Sequence, residues 1–324
     1  MARIALLSNP KASGSKSYLP RVRSFCAEHP DIFHYEVEKA EQIGEAMRTI
    51  ARVEPKAIVI NGGDGTVQVA LTELCHGGYF NGKPPPVAVL PNGKTNLIAL
   101  DLGATGDPLA ALERVLEIVR TGVDEHVVAR ELISLTDDLA GTRPVVGMFL
   151  GGAGLADAML YCRNKVYPLG LPNGLAHVVT VFALLLSTMF GVKTGLLPPR
   201  AQMVRVSILR HGARTGRFAL LIVTTLEKLL MNSTSRVGAR PPGALQLLVV
   251  DHTPWAFMKA IIAGIFGRLG SHDMSGVHVE RGDEIRIEGE RSSVILDGEL
   301  FEAGAGRAIV LKPTAPLPFL RLAA

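Results

Sequence analysis

The stretch Ala57-Ile58-Val59-Ile60-Asn61-Gly62-Gly63-Asp64-Gly65-Thr66 constrains the fold of this chain more than any other. Its opening apolar run marks a buried strand. Glycines interleaved with one carboxylate and one hydroxyl then end that strand. Val67–Leu74 follows, with Val67, Ala70, Leu71 and Leu74 spaced to share one helical face. A glycine-rich turn between a strand and a helix N-terminus aims several backbone N–H groups at an anion. Asp64 in that turn would repel a phosphate by itself, and fits if a divalent metal lies between carboxylate and phosphates. The plain alternative is a tight turn whose glycines serve only backbone geometry, but Gly-Gly-Asp-Gly-Thr is richer than any turn type requires.

The flanking sequence alternates in the same way. Residues 3–8 read as a strand and Asn9-Pro10-Lys11-Ala12-Ser13-Gly14-Ser15 as a polar loop. A helix over about Tyr18–Glu28, a strand near Ile32–Val37 and a helix near Glu41–Val53 follow. Val87–Leu90 is another short strand, opening into Pro91-Asn92-Gly93-Lys94-Thr95-Asn96. Asp107-Pro108 starts a helix, with Asp as N-cap and Pro at the first helical position. Strands alternating with helices predict an α/β domain with a mostly parallel sheet. Both glycine loops follow strands, which puts them at the carboxyl edge where open α/β sheets bind ligands.

The pattern changes after about Gly122. Short strand-like segments near Leu132–Thr136, Pro144–Leu150, Val204–Leu209, Phe218–Thr224, Leu245–Val250, Glu284–Ile287 and Val294–Leu296 have few helices between them. They predict a second, antiparallel domain. The expected organisation is an α/β domain over 1–127 and an antiparallel domain over 128–305. The tail, about 306–324, is expected to pack back on the first domain; Pro313, Pro316 and Pro318 exclude a long helix there. Three helical segments interrupt the second domain: Gly154–Lys165, Gly174–Phe190, and Pro254–Leu269 with the sole tryptophan, Trp255. In Gly174–Phe190 the only ionisable side chain is His177, and a thin polar stripe of His177, Thr180, Ser187 and Thr188 runs along it. A spanning helix needs about 20 apolar residues. A buried core helix, a lipid-contacting helix and a membrane span all stay open.

Bulk properties narrow the function class. The 324 residues are 48 % hydrophobic and 20 % charged, which is globular and long enough for a sizeable core. A net charge of +4 is too mild to argue for nucleic acid, so no nucleic-acid partner is expected. It suits an anionic membrane surface or a phosphate-bearing substrate. Cys26, Cys75 and Cys162 show no C-x-x-C spacing, which argues against a disulfide framework or a zinc site and for a reducing cytoplasm. The apolar N-terminus is too short for a signal peptide and is broken by Asn9-Pro10.

Three further constellations bear on chemistry. Gly93-Lys94-Thr95 resembles the close of a P-loop, but the opening glycine would have to be residue 88, which is Ala88. A second phosphate-facing loop with Lys94 as a point charge fits better, beside the alternative of a solvated lysine. Asp297-Gly298-Glu299 ends a strand with two carboxylates, a pair able to supply a general base or simply an acidic hairpin turn. Val204–Leu221 reads as a hairpin crowded by Arg205, Arg210, Arg214 and Arg217, either a solvated turn or a contact to anionic head groups.

At these residues the sequence resembles the diacylglycerol kinase catalytic-domain family, which includes bacterial lipid kinases, sphingosine kinases and ceramide kinases. Asn9–Gly14 is similar to its Asn-Pro-x-Ser-Gly nucleotide loop with one residue added, and Gly62–Thr66 matches its central motif. Pro91–Ala99 is similar to its Pro-x-Gly-Thr-x-Asn-x-x-Ala pattern and Asp297–Glu299 to its late Asp-Gly-Glu motif. The resemblance implies an N-terminal α/β domain, a C-terminal antiparallel β-sandwich domain and an active site in the cleft between them. It implies ATP and Mg²⁺ as cofactors, a membrane lipid (diacylglycerol, or a ceramide or sphingoid lipid) as acceptor, and a cytoplasmic enzyme peripheral to the inner membrane face. A homodimer is left open. Asn9, Pro10, Ser13, Gly14, Gly62, Gly63, Gly65, Thr66, Gly93, Lys94, Thr95 and Asn96 would hold the nucleotide. Asp64 would organise Mg²⁺, and Glu299, with Asp297 beside it, would accept the proton of the lipid hydroxyl. Two departures stand out. Lys94 occupies the place of the family's threonine. Arg240-Pro241-Pro242-Gly243-Ala244-Leu245 lacks the carboxylates of a structural magnesium site found in many bacterial members, so that site is not carried over. A kinase of the NAD-kinase kind with a soluble acceptor, and an inactive ATP- and membrane-binding module, are the alternatives.

Overall fold

The four apolar runs of the first domain all form parallel strands. In the computed structural model the described residues are 3–12, 15–93, 96–139, 141–171, 173–190, 198–199, 201–209, 212–226, 245–266, 269, 274–289, 293–304 and 306–323. In chain order the first elements are β1 (Ile4–Ser8), α1 (Ser15–Glu28), β2 (Ile32–Glu36), α2 (Ile43–Val53) and β3 (Ala57–Asn61). Then come α3 (Asp64–His76), β4 (Val87–Val89), α4 (Leu97–Asp101), α5 (Pro108–Thr121) and β5 (Val127–Arg130). The next are β6 (Ile133–Thr136), β7 (Val145–Gly147), β8 (Phe149–Gly152), α6 (Gly154–Tyr161) and α7 (Asn173–Phe190). They are followed by β9 (Met203–Ile208), β10 (Gly212–Thr224), β11 (Leu245–Asp251) and α8 (Pro254–Ile265). The last are β12 (Val277–Gly282), β13 (Ile285–Gly289), β14 (Ser293–Leu296), β15 (Glu299–Glu302), β16 (Ile309–Pro313) and β17 (Leu317–Leu320).

The chain divides into two compact units. One runs to Leu132 and takes up Pro144–Gly147 and the tail from Thr314; the other holds Ile133–Arg143 and Met148–Pro313. The first unit is built on a sheet of strand order β2-β1-β3-β4-β17-β5. Ile4 pairs with Ile32 on one side and Ala57 on the other, and Ile58 pairs with Val87, all in parallel. β1 and β3 are buried along their whole length, as strands covered on both faces must be. Asp107 caps α5, its carboxylate accepting from the Leu109 N–H at 3.0 Å, an arrangement worth about 1 kcal/mol. α3 begins at Asp64, so Asp64, Gly65 and Thr66 form the first helical turn rather than the loop before it, and Gly63 is the extended N-cap. A carboxylate in that position is favoured by the helix dipole.

β17 was not legible as a strand because of Pro318. It pairs antiparallel with β5 from Leu317↔Arg130 to Leu320↔Val127, but touches β4 at the single pair Phe319↔Val87. The missing N–H therefore interrupts no extended ladder on the β4 side.

The second unit is antiparallel. Its strands pair in the order β15-β14-β8-β10-β9-β13-β16-β6, with β11 and then β12 added at β10. β10 spans two environments. Gly212–Arg217 pairs with β9, whereas Leu221–Thr224 pairs with both β8 and β11. The register shifts between Phe218 and Leu220, and such an irregularity bends a strand, so the sheet curls there. The segment expected over Pro144–Leu150 is two strands, β7 and β8. Helices α6, α7 and α8 lie over the sheet. Ala158, Leu184 and Phe257, one from each, pack with Ala219 of β10, and Ala256 and Ala260 pack on Leu248 and Val250 of β11.

α7 is apolar on the outside and partly polar within. Thr180 and Ser187 are buried, their hydroxyls donating to the carbonyls of Ala176 (2.8 Å) and Pro198 (2.9 Å). Val178 and Phe182 face outward at 64 % and 59 % exposure. Among the described residues no helix is long and apolar enough to cross a membrane. In the arginine hairpin, Arg214 pairs with Glu280 at 2.9 Å and Arg205 with Glu288 at 3.9 Å; Arg210 lies outside the described residues, as does the Arg240–Ala244 stretch.

Candidate active site

Three loops converge at the carboxyl edge of the first unit's sheet. Asn9 follows β1. Its side-chain amide donates to Thr66 Oγ1 of α3 at 2.8 Å, its backbone N–H donates to the Asn61 carbonyl at 2.9 Å, and its side-chain oxygen accepts from the Lys11 N–H at 2.9 Å. The Asn-Pro loop is thereby fastened to the glycine turn. Gly62 is required by contact: a Cβ there would lie 2.7 Å from Thr66 Cβ. A Cβ on Gly63 would lie 4.0 Å from Ala12 Cβ, so the two loops run close together there.

The loop after β4 is joined to the same turn. Asn92 donates to Asn61 Oδ1 at 2.7 Å, and the Gly93 N–H donates to Asn96 Oδ1 at 2.6 Å. A Cβ on Gly93 would stand 3.0 Å from Asp64 Oδ1, which places the half-buried Asp64 carboxylate over this glycine. Asn96 takes a left-handed conformation (φ 52°) as it leads into α4. Ser13, Gly14, Lys94 and Thr95 lie outside the described residues. Pro10 sits in the turn between Asn9 and Lys11, and Gly65 in the first turn of α3.

A polar relay beneath these loops was not singled out from the sequence. Ser8, Asn61 and Asn92 are all buried. Asn61 donates to Ser8 Oγ at 3.1 Å, and His34 Nε2 lies 2.9 Å from the same hydroxyl. Burial pushes the His34 imidazole below its usual value, with Glu36 acting against that shift, so the neutral ring is favoured. The available signal was a polar residue at the end of each apolar strand, where buried polar groups must find partners.

No cluster of three or more His, Cys, Asp or Glu able to hold a metal occurs among the described residues. Asp64 contributes one carboxylate at the head of α3, whose N-cap Gly63 offers no side-chain acceptor to the helix's N–H groups. Magnesium is commonly held by one or two carboxylates completed by substrate phosphates and water. The donor set therefore fits a metal that arrives with a nucleotide, not a dedicated cage.

In the second unit, Asp297 and Gly298 form a two-residue hairpin turn, with φ values of 47° and 93°, and Leu296 pairs with Glu299 across it. Asp-Gly suits this turn because both central positions need positive φ. The turn splays the two carboxylates. Asp297 is 8 % exposed and accepts from the N–H groups of Met148 (3.0 Å) and Phe149 (2.9 Å), which ties β14 to the start of β8. Glu299 is exposed at the start of β15. A third carboxylate, Asp157 of α6, is partly buried, and desolvation pushes it up to about 6.

Residues 3–127 match the family model described as the diacylglycerol kinase catalytic domain. The domain is of a kinase class. Across the whole length, the fold is that of a diacylglycerol kinase from Bacillus anthracis str. Sterne, with 17 % identity, a TM-score of 0.61, and coverage of 98 % of this chain and 96 % of that one. A second structure from the same strain, provisionally assigned as a diacylglycerol kinase, gives a TM-score of 0.64 at 18 % identity, covering 97 % of this chain and 94 % of that one. Among curated proteins nothing matches the chain.

Proposed function

We propose that the protein transfers the γ-phosphate of ATP to a hydroxyl of a membrane lipid, either diacylglycerol or a ceramide or sphingoid lipid. The observation that carries this reading is the corner formed by Asp64 and Gly93 at the uncapped start of α3, inside a domain of a kinase family. Backbone N–H groups at the start of α3 would bind the phosphates. Asn9, Thr66 and Asn92 hold the three loops in register for that binding. Asp64 would hold Mg²⁺ together with phosphate oxygens. The metal, when bound, offsets the charge of the phosphates.

The acceptor hydroxyl oxygen forms its bond to the γ-phosphorus as the bond to the β,γ-bridging oxygen breaks, and ADP leaves. The hydroxyl proton passes to Glu299, which is exposed and therefore reachable by an acceptor. Asp297 serves the same step by anchoring the turn that carries Glu299. The working place of such an enzyme is the inner face of a membrane, where it is held peripherally.

The test is transfer of label from ATP across a panel of diacylglycerol, ceramide, sphingosine and, as a soluble acceptor, NAD. Label in one lipid class and none in NAD is expected. Label in NAD alone, or ATP binding without transfer to any member, overturns the reading.

A further inference from the structure

α7 and α8 lie side by side in the second unit, their inner faces meeting where Leu184 packs with Phe257. Their outer faces carry large apolar side chains with no cover among the described residues. Val178 and Phe182 of α7 are 64 % and 59 % exposed; on α8 and its C-cap, Trp255, Ile262, Ile265 and Phe266 are 78 %, 50 %, 76 % and 69 % exposed. Single exposed apolar residues are ordinary, whereas a run of them across two neighbouring helices marks an interaction surface.

The charge pattern of the same segments identifies the partner. Between Asp157 and Glu227 the sequence holds no carboxylate side chain and eight lysines and arginines. Between Asp251 and Asp273 it again holds none, with Lys259 and Arg268. α7 and α8 fall within these two stretches, and Arg163, Lys165 and Lys259 are exposed. A second copy docked through this face would bring like charges together with no carboxylate on either helix to pair them, which is costly. A bilayer with anionic head groups accepts both the apolar side chains and the flanking cations. The hairpin arginines are weaker candidates for such contact, since Arg205 and Arg214 already face Glu288 and Glu280.

We propose that the outer faces of α7 and α8 form a docking surface for an anionic lipid bilayer, with Trp255 and Phe182 entering the head-group layer. Tryptophan suits that layer because its ring is apolar and its N–H polar. The surface is defined without reference to phosphoryl transfer and extends the proposed reaction by saying how the enzyme meets its lipid.

Trp255 is the sole tryptophan, so its emission reports on this face alone. The full chain is mixed with vesicles of phosphatidylcholine, or of phosphatidylcholine with about 30 % phosphatidylglycerol, and followed by fluorescence and co-sedimentation. A blue shift and sedimentation with the anionic vesicles only are the expected results. Ile262→Ser with Phe266→Ser should weaken binding by about tenfold or more through lost apolar contact. Lys259→Glu, a change at an exposed position, should weaken binding to anionic vesicles as well. Unchanged Trp255 emission at saturating anionic vesicles, equal binding to both vesicle types, or a dimer that the serine pair dissociates would overturn the proposal. Asp64→Asn should bind vesicles as the parent does. Vesicle binding without kinase activity would leave the docking surface standing while the lipid-kinase reading falls.

Discussion

The turn that ends β3 and the turn that ends β14 are made of the same kinds of residue and use their carboxylates in opposite ways. Asp64 heads a helix, half-buried, beside a glycine of a neighbouring loop. Asp297 occupies a left-handed position in a hairpin and faces inward, where the backbone N–H groups of Met148 and Phe149 engage it. A glycine beside an aspartate therefore says little about chemistry until the next element is known. A following helix keeps the carboxylate near an anion-binding edge, whereas a returning strand folds it into the scaffold.

The largest effect that tests this contrast is expected at Asp64. Asp64→Asn should lower turnover by about 10³-fold, the scale of losing a charge-stabilising group at the reacting phosphate. Its melting temperature should fall by no more than about 2–3 °C, the scale of losing one favourable charge at a helix N-terminus. Normal turnover in that variant would remove Asp64 from the site. At the other turn the expectation reverses. Asp297→Ala leaves the buried Met148 N–H and the part-buried Phe149 N–H without this acceptor and should cost about 2 kcal/mol in denaturant unfolding. Glu299→Gln, two residues away and exposed, should unfold as the parent does while turnover falls about 10²-fold. Equal losses of stability in these two variants would erase the distinction between anchor and base.

The smallest effect concerns Asp157, which is neither at a phosphate loop nor tied to strand N–H groups. Its carboxyl is raised from 3.8 to about 6 by burial. The protonated form is the one the fold favours, so this contribution to stability is complete below about pH 4 and is lost as pH rises through about 6. Asp157→Asn should therefore melt about 1–2 °C above the parent at pH 7 and converge with it near pH 4. Parallel melting curves across that range would show that α6 takes the charge without strain.

These contrasts also mark what could be read from the sequence. β1, β3 and β4 were legible because continuous apolar runs end at Asn-Pro, Asn-Gly or Pro-Asn, which leaves little freedom in type or direction. The Asp107-Pro108 start of α5 was legible for the same local reason, and the cap forms as expected. β12, β15 and β17 were not. Val277–Gly282 mixes apolar and charged residues, Glu299–Glu302 is a short charged strand, and Leu317–Leu320 contains a proline, so each depends on its partner strand, which is next in sequence across a hairpin for β15 and distant for β12 and β17. α7 was legible as a helix but not in orientation. Hydropathy cannot tell that Thr180 and Ser187 turn inward, because their hydroxyls are satisfied by carbonyls within and beyond the helix. Asn61 reads as a strand end and Asn92 as a loop residue, and only the packed sheet reveals them as a buried relay.

The position of β17 has a consequence for how the molecule is made. The first unit's sheet gains its strand between β4 and β5 only from residues 317–320, which leave the ribosome after the whole of the second unit. During synthesis the nucleotide-binding half must wait, with the flank of β4 unpaired, while the other half, Ile133–Arg143 and Met148–Pro313, emerges. The second unit, whose strands are contiguous between Ile133 and Pro313 apart from β7, can complete itself first. Vectorial folding of this chain thus runs against the order of its motifs. The half that is written first is finished last, and a nascent chain released early would carry the phosphate loops on an open sheet.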